Sequence, residues 1–562
     1  MMVCCPDIMV CDFVTNIYLV SGACSIEFYV ASKDQFRVAP GNKIPCPWPY
    51  EIQRASNQAQ QLLESLENAF KKVLRENNVQ LHHIRAMALC RKGEGDTPQD
   101  TLILVSEDVD TRAWKGAVTI IGEMVDNAAR KLNGSPTIRV EIRNEDLMYR
   151  DTSYVIKPQT VEHRACMEIE DLVFDQVKKS CPSDWTSICY FMRGTKDQTE
   201  ASRKLTLVVG IKPRQRRLWE LVEEQVGDVV QSLKKSNIDI HIELLPSRVH
   251  PFVDHSQPAS KEMKPVGPEI QWNTVLAPPS GESIGPRVFG NAGTLGTWVS
   301  FHRPDGVKQV CFLTCCHVIS PGDPGNRTTI ERDGIALNGK KAISPIIVDY
   351  PAPFDTEATK VILGSSISRG EDREERMKRS LDVIEKHISN GGFGAVLHAS
   401  GTFRKNINER RMDWALVRCH DPSTIGKNRP PHGRFTSRQL GNRPVLYEVE
   451  PDEIVQKSNS LIDGMWVTKS GRTTGVTTGE VHAMRAIINW QNGMTTREIV
   501  VLGLAGDFVD CGDSGAMVTN LNKEWVGMVI GKDSSRTWAI VTSVEDLRDD
   551  INKGTGGSIS LL

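Results

Sequence analysis

At 562 residues the chain is too long for one hydrophobic core, and usual domain sizes divide it into about three or four folding units. Its 39% hydrophobic and 25% charged residues are ordinary for a globular protein, which excludes a fibrous or low-complexity reading. A formal net charge of -2 removes the electrostatic reason to expect nucleic acid or an anionic membrane surface as a partner.

Residues 1–48 are irregular and rich in cysteine, and no element is assigned to them. The opening MMVCCPDIMVCDFV has no basic leading segment and carries Asp7 and Asp12 inside its apolar stretch, so no signal peptide is expected. PCPWP follows, with Cys46 and Trp48 between Pro45, Pro47 and Pro49, and reads as a rigid linker. The 14 cysteines include two adjacent pairs, Cys4-Cys5 and Cys315-Cys316, and single residues inside apolar runs such as Cys90, Cys189 and Cys419. That is the placement of free thiols acting as small core residues. No CxxC pair has zinc spacing, and no window offers about 18 uninterrupted apolar residues for a membrane span. The expectation is a reduced, cytoplasmic protein with no metal and no cofactor.

A pattern then occurs twice. In the first copy a helix-like region over 51–77 leads to strand-like IRAMALC and DTLILVS, an amphipathic AWKGAVTIIGEMVDNAARKL and a strand TIRVEI. The second copy runs MEIEDLVFDQVKKS, SICYFMRG, KLTLVVGI, LWELVEEQVGDVVQSLKK and IDIHIEL. Trp114 matches Trp219, and Val140 matches Ile242. Both read helix, strand, strand, helix, strand, by periods of 3.6 and 2. Two tandem α+β units are expected, at 49–150 and 151–245. They contain no phosphate loop or nucleophile elbow and read as a regulatory module or one that binds a protein partner.

Residues 246–284 are rich in proline and form a linker. Short apolar runs follow, among them GTLGTWVSFH, VKQVCFLT, REIVVLGL, WVGMVIG and TWAIVT, which predict a sandwich or barrel. The charged stretch 371–389 reads as an inserted helix, and 554–562 as a C-terminal tail.

Three positions in this β-rich half carry chemistry. GDSG at 512–515 places a serine on a glycine-flanked turn, as a nucleophile beside oxyanion-binding amides requires. By itself such a serine is a turn residue. His317 follows the apolar run CFLTCC, where a general base would have a fixed ring. Asp413 in RRMDWALV leads into another apolar run, where it can orient the imidazole. The chain order His, Asp, Ser matches the chymotrypsin arrangement, and Ala516 removes the GxSxG elbow of the α/β-hydrolases.

The segments GTLGTWVSF, FLTCCHVI, MDWALV, KSGRTTGVTTGEV, GDSGAMV and WVGMVIG resemble those of trypsin-like serine peptidases of the chymotrypsin superfamily, nearest to intracellular forms in fungal proteins. The resemblance covers about 285–553. It implies two six-stranded β-barrels with the site in the cleft between them. It also implies a triad of His317, Asp413 and Ser514, and an oxyanion hole from the amides of Gly512 and Ser514. Lys469 to Gly475 would open a long hairpin of the second barrel. By the same resemblance Phe508, Val509, Asp510, Ile530, Gly531 and Lys532 wall the primary substrate pocket. Phe508 stands where Arg/Lys-cleaving enzymes carry an acid, which argues against strict tryptic specificity.

The departures are specific. Val318 follows the histidine and Asp510 lies four before the serine, both positions of cysteine in secreted relatives. No IVGG-like start exists to supply a new amine to Asp513. The sequence therefore predicts an intracellular serine endopeptidase acting on protein or peptide, with no nucleic-acid or membrane partner. The rival readings are a pseudoprotease scaffold and a signalling or binding protein.

Overall fold

In a computed structural model the described residues are 22–44, 46–92, 97–195, 199–232, 238–250, 277–288, 291–339, 345–368, 378, 382, 389, 392–533 and 537–562. Cys4-Cys5 and most of the proline-rich linker lie outside them, as does 371–389 apart from three helical positions. The chain divides into two compact units: Met1–Thr152 with Glu168–Arg248, and Ser153–Met167 with Val249–Leu562.

The first unit contains both repeated patterns. In the first copy, helix Asn57–Glu76 is capped by Ser56, whose Oγ accepts from Ala59 N, and buries Leu62, Phe70 and Leu74. Strands Leu81–Arg91 and Gln99–Ser106 form an antiparallel hairpin. Helix Trp114–Ala129 then crosses to strand Arg139–Arg143, which runs parallel to Gln99–Ser106. The second copy follows the same path: hairpin Trp185–Gly194 with Lys204–Ile211, helix Trp219–Ser232, parallel strand His241–Pro246. The correspondence extends to register, since Val140 faces Leu102 and Ile242 faces Leu207. Trp114 and Trp219 each open the crossover helix and are buried.

Two sequence readings change here. Residues 51–54, read as the start of a helix, belong to strand Tyr50–Arg54, because their backbone pairs with Leu81–Arg91 along the sheet edge. Both copies also fall in one compact unit, while Ser153–Met167 belongs to the other.

The second unit is built of two barrels. One ring is closed: Thr495–Gly503, Gly475–Val481, Trp466–Gly471, Met517–Asn520, Trp525–Asp533 and Trp538–Ser543, the last pairing back with Thr495–Gly503. Its apolar core includes Val467, Val501, Phe508, Val518, Val529 and Val541. The hairpin expected at Lys469 to Gly475 is present, with Gly471 facing Gly475. The other sheet is a curled half-barrel of eight strands and not a ring of six. Trp298, Phe312, Phe393 and Tyr350 stack in it at centroid distances of 5.4 to 6.0 Å.

Its edge corrects another expectation. The segment read as a tail forms strand Ser558–Leu561, antiparallel to Trp298–His302, and Ile559 turns into the core. Part of the linker is structural too. Pro278 O accepts from Trp298 Nε1 at 2.9 Å, and Val249–His250 pairs antiparallel with Lys532–Asp533.

Candidate active site

Strand Lys308–Thr314 pairs with Ala415–Cys419 so that Thr314 faces Ala415. The residues just beyond Thr314 and just before Ala415 therefore emerge at the same end of the pair. Cys315, in extended conformation, turns the chain into the short helix Cys316–Ile319, and His317 projects from it. Asp413 sits between the strands Arg411–Met412 and Ala415–Cys419. The outcome is two bonds between the same residues: His317 N donates to Asp413 Oδ1 at 3.0 Å, and His317 Nδ1 lies 2.7 Å from Asp413 Oδ2.

Ser514 comes from the second barrel, on the turn before Met517–Asn520. Gly512 and Gly515 have φ of +100° and +94°, in the region that favours glycine. A Cβ at 515 would lie 2.5 Å from the Thr294 carbonyl oxygen, so this turn cannot fit a larger residue without moving its neighbour. Thr294 pins the turn from the first barrel: its N–H donates to Ser514 O at 2.8 Å and its Oγ1 to Gly512 O at 2.9 Å. Ser514 Oγ then lies 2.8 Å from His317 Nε2. Among the described residues neither the Gly512 nor the Ser514 amide donates to a protein acceptor. All three expected residues are thus brought together, and all are buried, Ser514 being 1% exposed.

The electrostatics follow from burial and pairing. Burial acts to raise the Asp413 carboxyl, but the charge and hydrogen bond of His317, with the Arg411 guanidinium, outweigh it and hold the group below its ordinary value. Cys315 Sγ lies within 4.8 Å of the His317 and Asp413 donor atoms. Burial, then the Asp413 charge, pushes its thiol well up, and it donates to Val529 O at 3.2 Å. Asp413, His317 and Ser514 form a hydrogen-bonded row with the Cys315 thiol beside it.

Two positively charged residues that sequence reasoning missed complete the site. Lys469 Nζ lies 3.1 Å from Asp513 Oδ2, with both side chains fully buried. Thr473 N, Thr474 N, Thr474 Oγ1 and Asp510 N also donate to the same carboxylate. The Asp513 carboxylate thus has a buried ammonium partner and four further donors from the same barrel. Arg411 Nη2 lies 3.3 Å from Asp413 Oδ2. The sequence carries little signal for either: Lys469 is a single lysine in the strand WVTKSG, and nothing in the string marks the position as buried.

The residues expected to wall the pocket lie on the segment before Ser514 and on strand Trp525–Asp533. Phe508 and Val509 pack into the second barrel's core, and Thr477 Oγ1 donates to the Phe508 carbonyl at 2.6 Å. Ile530 and Gly531 are buried at a bulge of strand Trp525–Asp533. Lys532 Nζ reaches Asp510 Oδ1 at 2.7 Å, which ties strand Trp525–Asp533 to the segment before Ser514.

The profile of Peptidase family S64 matches residues 381–555, a span that includes Asp413 and Ser514. No relative is found among curated proteins. Among solved structures the chain is similar to Thermobifida fusca protease A, at 14% identity and TM-score 0.26, covering 51% of this chain and 100% of that one. It is also similar to a glutamic acid specific serine protease, at 15% identity and TM-score 0.25, covering 50% and 99%. A third is the chymotrypsin of Cellulomonas bogoriensis, at 14% and 0.26, covering 50% and 98%.

Proposed function

We propose that the C-terminal half, a serine peptidase of the chymotrypsin fold, is an endopeptidase whose nucleophile is Ser514. The Ser514 hydroxyl donates to His317 Nε2, attacks a peptide carbonyl and transfers its proton to the imidazole. Asp413 holds the ring through Nδ1 and offsets the charge that forms there. The amides of Gly512 and Ser514 bind the developing oxyanion. His317 then returns the proton to the leaving amine, and water releases the acyl group by the same steps reversed. The observation that carries this reading is the unbroken row of contacts, 2.7 Å and 2.8 Å, from Asp413 through His317 to Ser514.

Two further observations support a restrained enzyme that needs no cut N-terminus. Lys469 holds Asp513, and with it the GDSG turn, without any chain cleavage. Val249–His250 runs antiparallel to Lys532–Asp533, on the edge where an extended substrate would add as a strand, and Ser514 is buried. On this reading the tandem α+β region, 49–150 and 151–245, is regulatory or binds a partner, and the linker is the restraint. The buried free thiols favour a reducing, intracellular compartment. No helix among the described residues is long and apolar enough to cross a membrane.

A fluorophosphonate probe tests the core of this. The full chain is expected to take the label on Ser514, and Ser514→Ala to lose it. Equal labelling of both proteins, or none of either, would leave the fold as a scaffold.

A further inference from the structure

The catalytic aspartate of a triad has to share its charge with the imidazole, so whatever else touches that carboxylate alters what the imidazole feels. Here the second contact is a permanent cation. Arg411 lies two residues before Asp413, and its Nη2 is 3.3 Å from Oδ2, the oxygen that also faces His317 Nδ1 at 2.7 Å. Besides Asp413, the guanidinium meets an aromatic ring. It stacks 4.3 Å over the Trp490 ring, and that indole in turn donates to Thr496 Oγ1 at 2.7 Å. The Arg411 backbone N–H donates to Glu498 Oε1 at 2.8 Å, and both side chains are buried. The other titratable or charged groups facing this cluster are the thiols of Cys315 and Cys316, and Arg410, which is engaged by Asp546.

We propose that Arg411, its guanidinium stacked on Trp490 and its backbone N–H held by Glu498, is a positioning residue that fixes the Asp413 carboxylate and thereby tunes the pH dependence of the triad. The inference rests on the reading of Ser514 as nucleophile. A cation beside Asp413 offsets part of the carboxylate charge that faces the ring, so losing that cation should move the acid limb of the reaction to higher pH. Glu498 opposes that cation. Burial pushes its carboxyl up to about 7, with Thr496 and Arg411 acting against the rise, so its countercharge develops around neutrality.

The test is the pH dependence of the fluorophosphonate labelling rate, measured on the full chain. In R411M the acid limb is expected to move to higher pH by about half a unit to one unit, the scale of a single neighbouring charge. R411Q keeps an amide within reach of the carboxylate and should shift the same way, which covers the case in which methionine does not fold. R411K restores the charge and should return the limb to its wild-type position. E498Q, which leaves the cation unopposed, should move it down. A limb unmoved in both R411M and R411Q, or displaced equally in R411K, overturns the proposal even if the rates fall. A wild-type chain that takes no label at Ser514 removes the nucleophile reading instead, so the two failures are distinct.

Discussion

Lys469 is an ammonium group with no water around it, and burial pushes its proton affinity down despite the facing Asp513. Such a pair is worth little as a source of stability, but removing one partner leaves the other charge stranded, at about 3–5 kcal/mol. K469M is therefore expected to destabilise the second barrel by roughly that amount and to lower labelling of Ser514 at least about a hundredfold. Thermal unfolding and the labelling rate, measured together, check both effects. The same residue marks a limit of sequence reading. His317, Asp413 and Ser514 were legible because each lies where an apolar run meets a polar turn, and their chain order restricts the geometry. Lys469 and Arg411 act through burial beside a carboxylate, and a linear sequence does not display burial. Phe508 shows the same limit: its side chain is buried in the barrel core, which its spacing from Ser514 along the chain does not display.

At the scale of elements, the pairing of Val249–His250 with Lys532–Asp533 is the one that, on the proposed function, would exclude a substrate. Val249 and His250 contribute backbone to Asp533 and Lys532, so a proline at 249 removes a donor and disfavours the pairing. V249P is expected to raise the labelling rate of the full chain several-fold; an unchanged or lower rate would remove the restraint from the proposal. The tandem α+β pattern was readable because each crossover helix carries its own period and opens with a buried tryptophan. What the sequence concealed were the short pieces. Tyr50–Arg54 has the length of one helical turn and a half, and only its neighbour Leu81–Arg91 decides that it is a strand. Ser558–Leu561 has four residues, too few for any periodicity, and its partner is more than two hundred residues earlier.

The molecule as a whole should feel one buried acid in its stability. Glu498 holds its proton in the folded protein up to about 7, whereas in the unfolded chain it releases it near the ordinary glutamate value of 4.5. Between these two values the unfolded state binds fewer protons, so stability falls as pH rises through the window and levels off above it. The shift corresponds to about 3 kcal/mol. E498Q is expected to flatten the slope over that window in denaturant unfolding of the full chain, and a parallel slope in both proteins would contradict it.

The pairing of Ser558–Leu561 with Trp298–His302 also has a consequence in time. During synthesis the earlier strand leaves the ribosome some 250 residues before the one that covers it, a lag on the order of tens of seconds at ordinary elongation rates. Throughout that interval the half-barrel presents a bare hydrogen-bonding edge, the feature that invites wrong partners. The half-barrel that carries His317 can complete its edge only once the late strand has been made.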